Sequence, residues 1–148
     1  MRLALRVTVA SVVTLSAGLA CASPAGVWKT VSDKTHKERA MVRITEAGGV
    51  FNARIERMLD PSVKPDVLCD KCSDDRKNKP IVGLEIVRGV KKSADKEGAW
   101  DGGTILDPEN GKTYRVRLTP IEGGKKLEVR GYIGTPMLGR TQVWLRAD

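Results

Sequence analysis

The sequence predicts an all-β fold, a small antiparallel barrel of about eight strands. Three observations carry that expectation. Apolar and polar residues alternate with a period of two in several short runs, such as Ala40-Met-Val-Arg-Ile44 and Tyr114-Arg-Val-Arg-Leu118. Turn signals separate those runs, among them Gly48-Gly49, Asn110-Gly111 and Gly123-Gly124. Finally, the runs number about eight. An antiparallel sheet of that size can close on itself and hide its edges, leaving an interior wide enough for side chains or one small ligand. An open sandwich is the alternative architecture. A length of 148 residues fits one domain and can bury a core without metals or many disulfides. The absence of a Gly-X-Y period excludes collagen, and an apolar fraction of 41% argues against disorder.

The barrel is expected to occupy residues 23–148, behind a signal peptide at 1–22. Arg2 and Arg6 make a basic start, Val7 to Ala20 an uncharged and mostly apolar run, and Ala20-Cys21-Ala22 a small-x-small cleavage pattern. The run is too short for a transmembrane anchor, which needs about 20 apolar residues. Lipoprotein processing at Cys21 is the other alternative. That pattern prefers Leu three residues before the Cys, where this chain has Gly18. The expected location is therefore periplasmic or secreted. Losing Arg2 and Arg6 with no acidic residue takes the formal charge from +8 to +6. A basic exported protein suits an anionic envelope surface, against the plainer reading of a solvated surface. Basic and acidic residues interleave, with no long basic tract or aromatic-basic stripe for nucleic acid.

Taken in order, Gly26 to Thr30 opens the domain as a strand. Gly26-Val27-Trp28 resembles the first strand of lipocalin-like barrels, in which the Trp closes one end and an Arg of the last strand packs across it. Arg140 and Arg146 are the candidates, and a guanidinium over an indole is a cation–π contact worth about 0.5–2 kcal/mol. Ser32 to Lys37 is a polar turn, and its His36 reads as a solvated loop residue. Ala40 to Thr45 and Phe51 to Glu56 form a hairpin across Gly48-Gly49. Asp60 to Pro80 is irregular, with Pro61, Pro65 and Pro80 denying regular pairing. Alternation resumes at Val82, Leu84 and Ile86 and runs to Arg88-Gly89, followed by a charged loop from Lys91 to Gly98. Strands then start at Trp100, Tyr114 and Leu127. Gly102-Gly103 and Gly131 fall inside strand patterns and suggest bulges or bends. Gly134 to Gly139 is a bend or a single helical turn, and Thr141 to Arg146 the last strand.

Chemistry-bearing constellations are few. Cys69 and Cys72 suit a local disulfide stiffening the 60–80 loop. Zinc would need two more thiols or imidazoles. A catalytic redox pair would sit at a helix N-terminus rather than beside Asp70, Asp74 and Asp75. Gly134-Thr-Pro-Met-Leu-Gly-Arg-Thr141 imitates a phosphate-binding loop but has Arg where Lys is required and leads into a strand. With His36 discounted, a Ser-His-Asp arrangement lacks its base. Asp107, before Pro108, reads as a turn-capping residue. Asp101 sits beside two glycines. It is either a carboxylate at the barrel mouth balanced by Arg115 or Arg130, or a structural carboxylate fixing the Gly102-Gly103 bend.

Together Gly26-Val-Trp28, Cys69-Asp-Lys-Cys72, Pro80-Ile-Val-Gly83, the run from Trp100 to Tyr114, Val129-Arg-Gly-Tyr-Ile-Gly134 and Gly139-Arg-Thr-Gln-Val-Trp144 resemble an exported bacterial family catalogued as domain of unknown function 2147. The motifs occur in the family's order across nearly the whole mature chain. The resemblance implies an envelope protein with a lipocalin-like barrel, and no established activity. The functional expectation is a non-enzymatic, monomeric envelope protein without a cofactor, binding a small apolar or amphipathic ligand at the barrel mouth. Candidate lining or rim residues are the aromatic Trp28, Trp100, Tyr114, Tyr132 and Trp144, with Asp101, Arg130 and Arg140. The alternatives are a structural or protein-interaction module using the 60–80 loop, and a redox- or metal-responsive protein using Cys69 and Cys72.

Overall fold

The computed structural model describes residues 22–148. The signal-peptide and Cys21 readings fall on residues outside that range, apart from Ala22 at its edge. Eight strands close into one antiparallel barrel in chain order. They are β1 (Gly26–Val31), β2 (Glu38–Ala47), β3 (Val50–Met58), β4 (Glu85–Lys92), β5 (Trp100–Asp107), β6 (Lys112–Ile121), β7 (Lys126–Tyr132) and β8 (Gly139–Arg146). β8 returns to β1 through Trp28 opposite Arg146 and Lys29 opposite Leu145. Among the described residues no helix is long and apolar enough to cross a membrane.

Alternation decides what faces inward. Ala40, Val42 and Ile44 on β2, and Phe51, Ala53 and Ile55 on β3, are buried, while their polar neighbours Arg43 and Arg54 are exposed. β8 is instructive because its inward residue is Trp144, at 2% exposure, whereas Val143 faces out. The short turns β2–β3, β4–β5 and β6–β7 lie at one end of the barrel. The polar β1–β2 turn and the longest connection, residues 59–84, lie at the other.

The short-turn end is closed. Trp28 is fully buried and donates its indole N–H to the Pro24 carbonyl at 2.8 Å. The Arg146 guanidinium lies 4.2 Å from its ring centre and donates to the carbonyls of Ser23, Ala25 and Gly124. Arg146, not Arg140, is thus the partner of the first-strand Trp. Gly26 has a φ of +134°, and a Cβ there would collide with the Arg146 guanidinium. The Gly-x-Trp spacing therefore admits the arginine as well as the indole. Phe51 meets Trp100 edge-on at 6.1 Å just inside this end, with Leu118 and Leu127 beside them in the core.

Three sequence expectations need correction. β4 starts at Glu85, not Val82, because Ile81 to Leu84 form a turn that leaves Val82 exposed. β4 also runs on to Lys92, through residues expected to be loop. Gly102 does mark a bulge, with φ +79° and a register shift between Trp100 and Gly103. Gly131 does not: it pairs in register with Val116 on one side and Arg140 on the other.

The 59–84 connection is fixed at several points. Cys69 and Cys72 are disulfide-bonded and buried. The Cys69 N–H donates to Lys79 O and the Asn78 N–H to Cys69 O, both at 2.8 Å. Arg76, only 4% exposed, donates to both carboxylate oxygens of Asp74 and, at 2.9 Å, to the Glu85 carbonyl on β4. Arg88 holds Asp75 with two hydrogen bonds of 2.9 Å. The disulfide turn also abuts the β5–β6 turn. Lys71 donates to the Glu109 carbonyl at 3.0 Å, and a Cβ at Gly111 would run into the Lys71 carbonyl.

Candidate functional site: an apolar cavity at the open end

A cavity of about 500 Å³ occupies the half of the barrel opposite Trp28. That lies within the range of about 300–1,000 Å³ usual for small-molecule sites. Its walls are apolar: Val42 from β2, Ile55 and Met58 from β3, Ile86 from β4, Ile105 from β5 and Trp144 from β8. Gly131 lines it too. A Cβ there would meet Tyr114 Cβ at 3.7 Å and the Ile105 side chain at 3.8 Å, ordinary contact distances. The absent side chain therefore adds to the empty volume.

The mouth is polar. Arg140, on the first turn-proximal residues of β8, pairs with Asp33 of the β1–β2 turn. That pairing holds the Asp33 carboxyl below the usual carboxylate range, chiefly through the hydrogen bonds from Arg140, and raises Arg140 in return. Arg39, at the start of β2, pairs with Glu109 of the β5–β6 turn and approaches Asp60 at 3.4 Å. Its Nε makes no hydrogen bond, which is unique among buried side-chain polar atoms of the described residues. Tyr114 sits on the rim and its hydroxyl accepts from Asn110 Nδ2 at 3.2 Å. The Trp144 indole N–H donates to Gln142 Oε1 at 3.2 Å, so the ring presents its apolar body to the cavity with its polar edge already partnered.

Of the eight residues expected from sequence, the structure brings Tyr114, Arg140 and Trp144 to the cavity. The others lie elsewhere. Trp28 belongs to the closed end and Trp100 packs on Phe51. Tyr132 is buried at the end of β7 but is not part of the wall. Arg130 donates to the carbonyls of Pro136 and Met137 and, at 2.6 Å, to Thr141 Oγ1 on β8. Asp101 accepts from Arg117 at 2.8 and 3.0 Å and from Ser93 Oγ at 2.8 Å. Its partner is thus neither Arg115 nor Arg130, because the bulge at Gly102 sets Trp100 opposite Leu118 and brings Asp101 beside Arg117. It ties β5 to β6 and to the β4–β5 turn. Sequence reasoning missed Arg39, Gln142 and Gly131. Gln142 was recoverable, since Gln142 and Trp144 share a face of β8.

The sequence and the barrel have counterparts among known proteins. A family model described as an uncharacterized protein conserved in bacteria (DUF2147) matches residues 26–146. The chain belongs to that family. Among solved structures, it is similar to one described as protein HP1028 from the human pathogen Helicobacter pylori, said to belong to the lipocalin family. The two share 21% identity with a TM-score of 0.73, over 86% of this chain and 84% of that one. At that identity the likeness bears on fold: this family member has the lipocalin-like barrel. No curated protein matches the chain.

Proposed function

We propose that this DUF2147 protein binds a small amphipathic molecule in the open half of its barrel, as a non-enzymatic carrier of the cell envelope. The observation that carries the reading is a cavity of about 500 Å³ whose walls are apolar and whose rim is charged. An apolar tail would sit against Val42, Ile55, Ile86 and Trp144. Burying it there removes apolar surface from water, worth roughly 25 cal/mol per Å². A polar head would lie at the rim beside the guanidinium of Arg39, which is paired there with Asp60 and with the exposed Glu109. An acidic head group suits that position by taking the place of the exposed Glu109 carboxylate, because a guanidinium N–H makes its strongest hydrogen bonds to an ionised acceptor. Tyr114 and Arg140 stand on the same rim.

Export to the periplasm or beyond belongs to this reading. It is supported by the leader-like composition of residues 1–22 and by a disulfide between Cys69 and Cys72, a bond that persists in oxidising compartments. The redox reading is weaker. Both cysteines are at most 2% exposed, so an attacking thiolate has little access to either sulfur. The reading as a structural or interaction module has no comparable cavity-scale feature behind it.

The test is a titration with straight-chain alkyl carboxylates and the matching alcohols, read by melting temperature and by displacement of an environment-sensitive dye. Carboxylates should raise Tm more than alcohols do, and Arg39→Gln should remove most of that difference. If neither series changes Tm or displaces the dye, the carrier reading is wrong.

A further inference from the structure

The β7–β8 loop has a property that ligand binding does not use. Ile133, Met137 and Leu138 are 70%, 88% and 75% exposed. The other exposed large apolar side chains among the described residues are all under half exposed. From Tyr132 to Gly139 the loop contains no charged residue. Nor is it slack. The Arg130 guanidinium on β7 donates to the Pro136 and Met137 carbonyls and to Thr141 Oγ1, and the Leu138 N–H donates to Thr135 O at 3.1 Å. The backbone is thus held by polar contacts while three apolar side chains are turned to solvent.

The position is also specific. Arg140, two residues past Leu138, lines the cavity mouth. Through Asp33 it joins the β1–β2 turn, which displays Lys34 and Lys37. Asp33 is engaged by Arg140, Glu38 by Lys29 and Glu109 by Arg39, while Asp107 accepts hydrogen bonds within the β5–β6 turn. Lys34 and Lys37 make no ion pair among the described residues.

We propose that the 133–138 loop is the tip by which the protein docks on an anionic phospholipid surface, with the cavity mouth turned toward the bilayer. Two arguments select a bilayer over a protein partner. Three side chains form a patch on the order of a few hundred Å², well short of the ~800 Å² per partner that a stable protein interface buries. A bilayer interface, by contrast, accepts an isolated apolar tip a few ångströms deep and attracts the cations around it. Lys34, Lys37 and a formal charge of +6 without Arg2 and Arg6 supply those cations. The proposal goes beyond the carrier reading and does not require a ligand in the cavity.

The experiment is vesicle sedimentation with protein purified from its native cells in whatever processed form they contain. The parent is compared with the Ile133→Ser/Met137→Ser/Leu138→Ser variant on phosphatidylglycerol-containing and pure phosphatidylcholine vesicles. Both proteins carry the same N-terminus, so the difference between them reports the loop. The parent should bind the anionic vesicles about tenfold or more tightly than the neutral ones. The triple variant should lose about tenfold or more on anionic vesicles while keeping its melting temperature. In a Leu138→Trp variant, emission of the introduced indole should shift to the blue on anionic vesicles. Equal sedimentation of parent and triple variant would overturn the proposal, as would an indole that stays in water on bound vesicles. A parent that ignores vesicles but self-associates through this loop would overturn it as well, and would assign the face to a second copy of the chain. Its failure would leave the alkyl carboxylate titration unaffected, so the two readings can fail separately.

Discussion

Trp28 and Arg146 show how much one pair of side chains can organise. The indole is fully buried, partnered at its N–H by Pro24 and covered by the guanidinium, which in turn ties down three carbonyls. Trp28→Ala would open a hole at the closed end and leave Arg146 without its aromatic face. It should cost about 3–5 kcal/mol in a urea melt. The pair was legible in the sequence only up to a choice between Arg140 and Arg146. Register decided it, since Arg146 stands opposite Trp28 while Arg140 lies near the other end. A second prediction concerns Asp74. Hydrogen bonds from Arg76 hold its carboxyl down at about 2, against 3.8 for the free group. A depressed carboxylate stabilises the fold in full above the unfolded value and loses that contribution as pH falls through the folded one. Asp74→Asn should therefore melt lower than the parent at neutral pH. The gap should shrink between about pH 4 and pH 2, which acid titration of both proteins by circular dichroism would follow.

At the scale of elements, the strands were readable because alternation and turn glycines agree, and each reinforces the other. β2, β3, β6, β7 and β8 lie where that pattern puts them. The start of β4 was not readable, because Val82 and Leu84 continue an apolar alternation through what is a turn held by Gly83 N–H to Ile55 O at 2.7 Å. A turn that mimics strand periodicity is resolved only by its tertiary partner. The 59–84 connection shows the same limit. Its prolines signalled irregular backbone, but its attachment to β4 through Arg76 and to the β5–β6 turn through Lys71 depends on distant residues. The disulfide closes a very short loop, so removing it should cost only about 2 kcal/mol by loop entropy. In a Cys69→Ser/Cys72→Ser variant, amide exchange should quicken at Cys69→Ser and Asn78 and stay slow in β6 and β7. Uniform acceleration across the barrel would mean that the loop supports the whole fold rather than its own rim.

Across the whole molecule, the barrel divides into a filled half and an empty half. Trp28, Phe51, Trp100, Leu118 and Leu127 occupy the first, while the cavity bordered by Val42, Ile55, Gly131 and Trp144 occupies the second. Strand count predicted an interior of this width but not its division. Aromatic residues were expected to mark the ligand site, and three of the five instead fill or flank the closed half or sit outside the wall, where large side chains close-pack best. What marks the open half is the smaller signal of a glycine at 131 facing inward between Tyr114 and Ile105. Gly131→Leu should fill that space. Since the site is a strand position where a Cβ fits without clash, the variant should melt no lower than the parent. It should nonetheless lose ligand binding, which separates occupancy of the cavity from integrity of the fold.

That variant makes the decisive comparison. Native mass spectrometry of parent and Gly131→Leu, each recovered from the native cell envelope under gentle conditions, reads cavity occupancy directly. A small-molecule adduct should appear on the parent and be absent from the variant, with the disulfide intact in both. A bare parent chain, or the same adduct on both proteins, would contradict the claim that the open half of the barrel is a binding site.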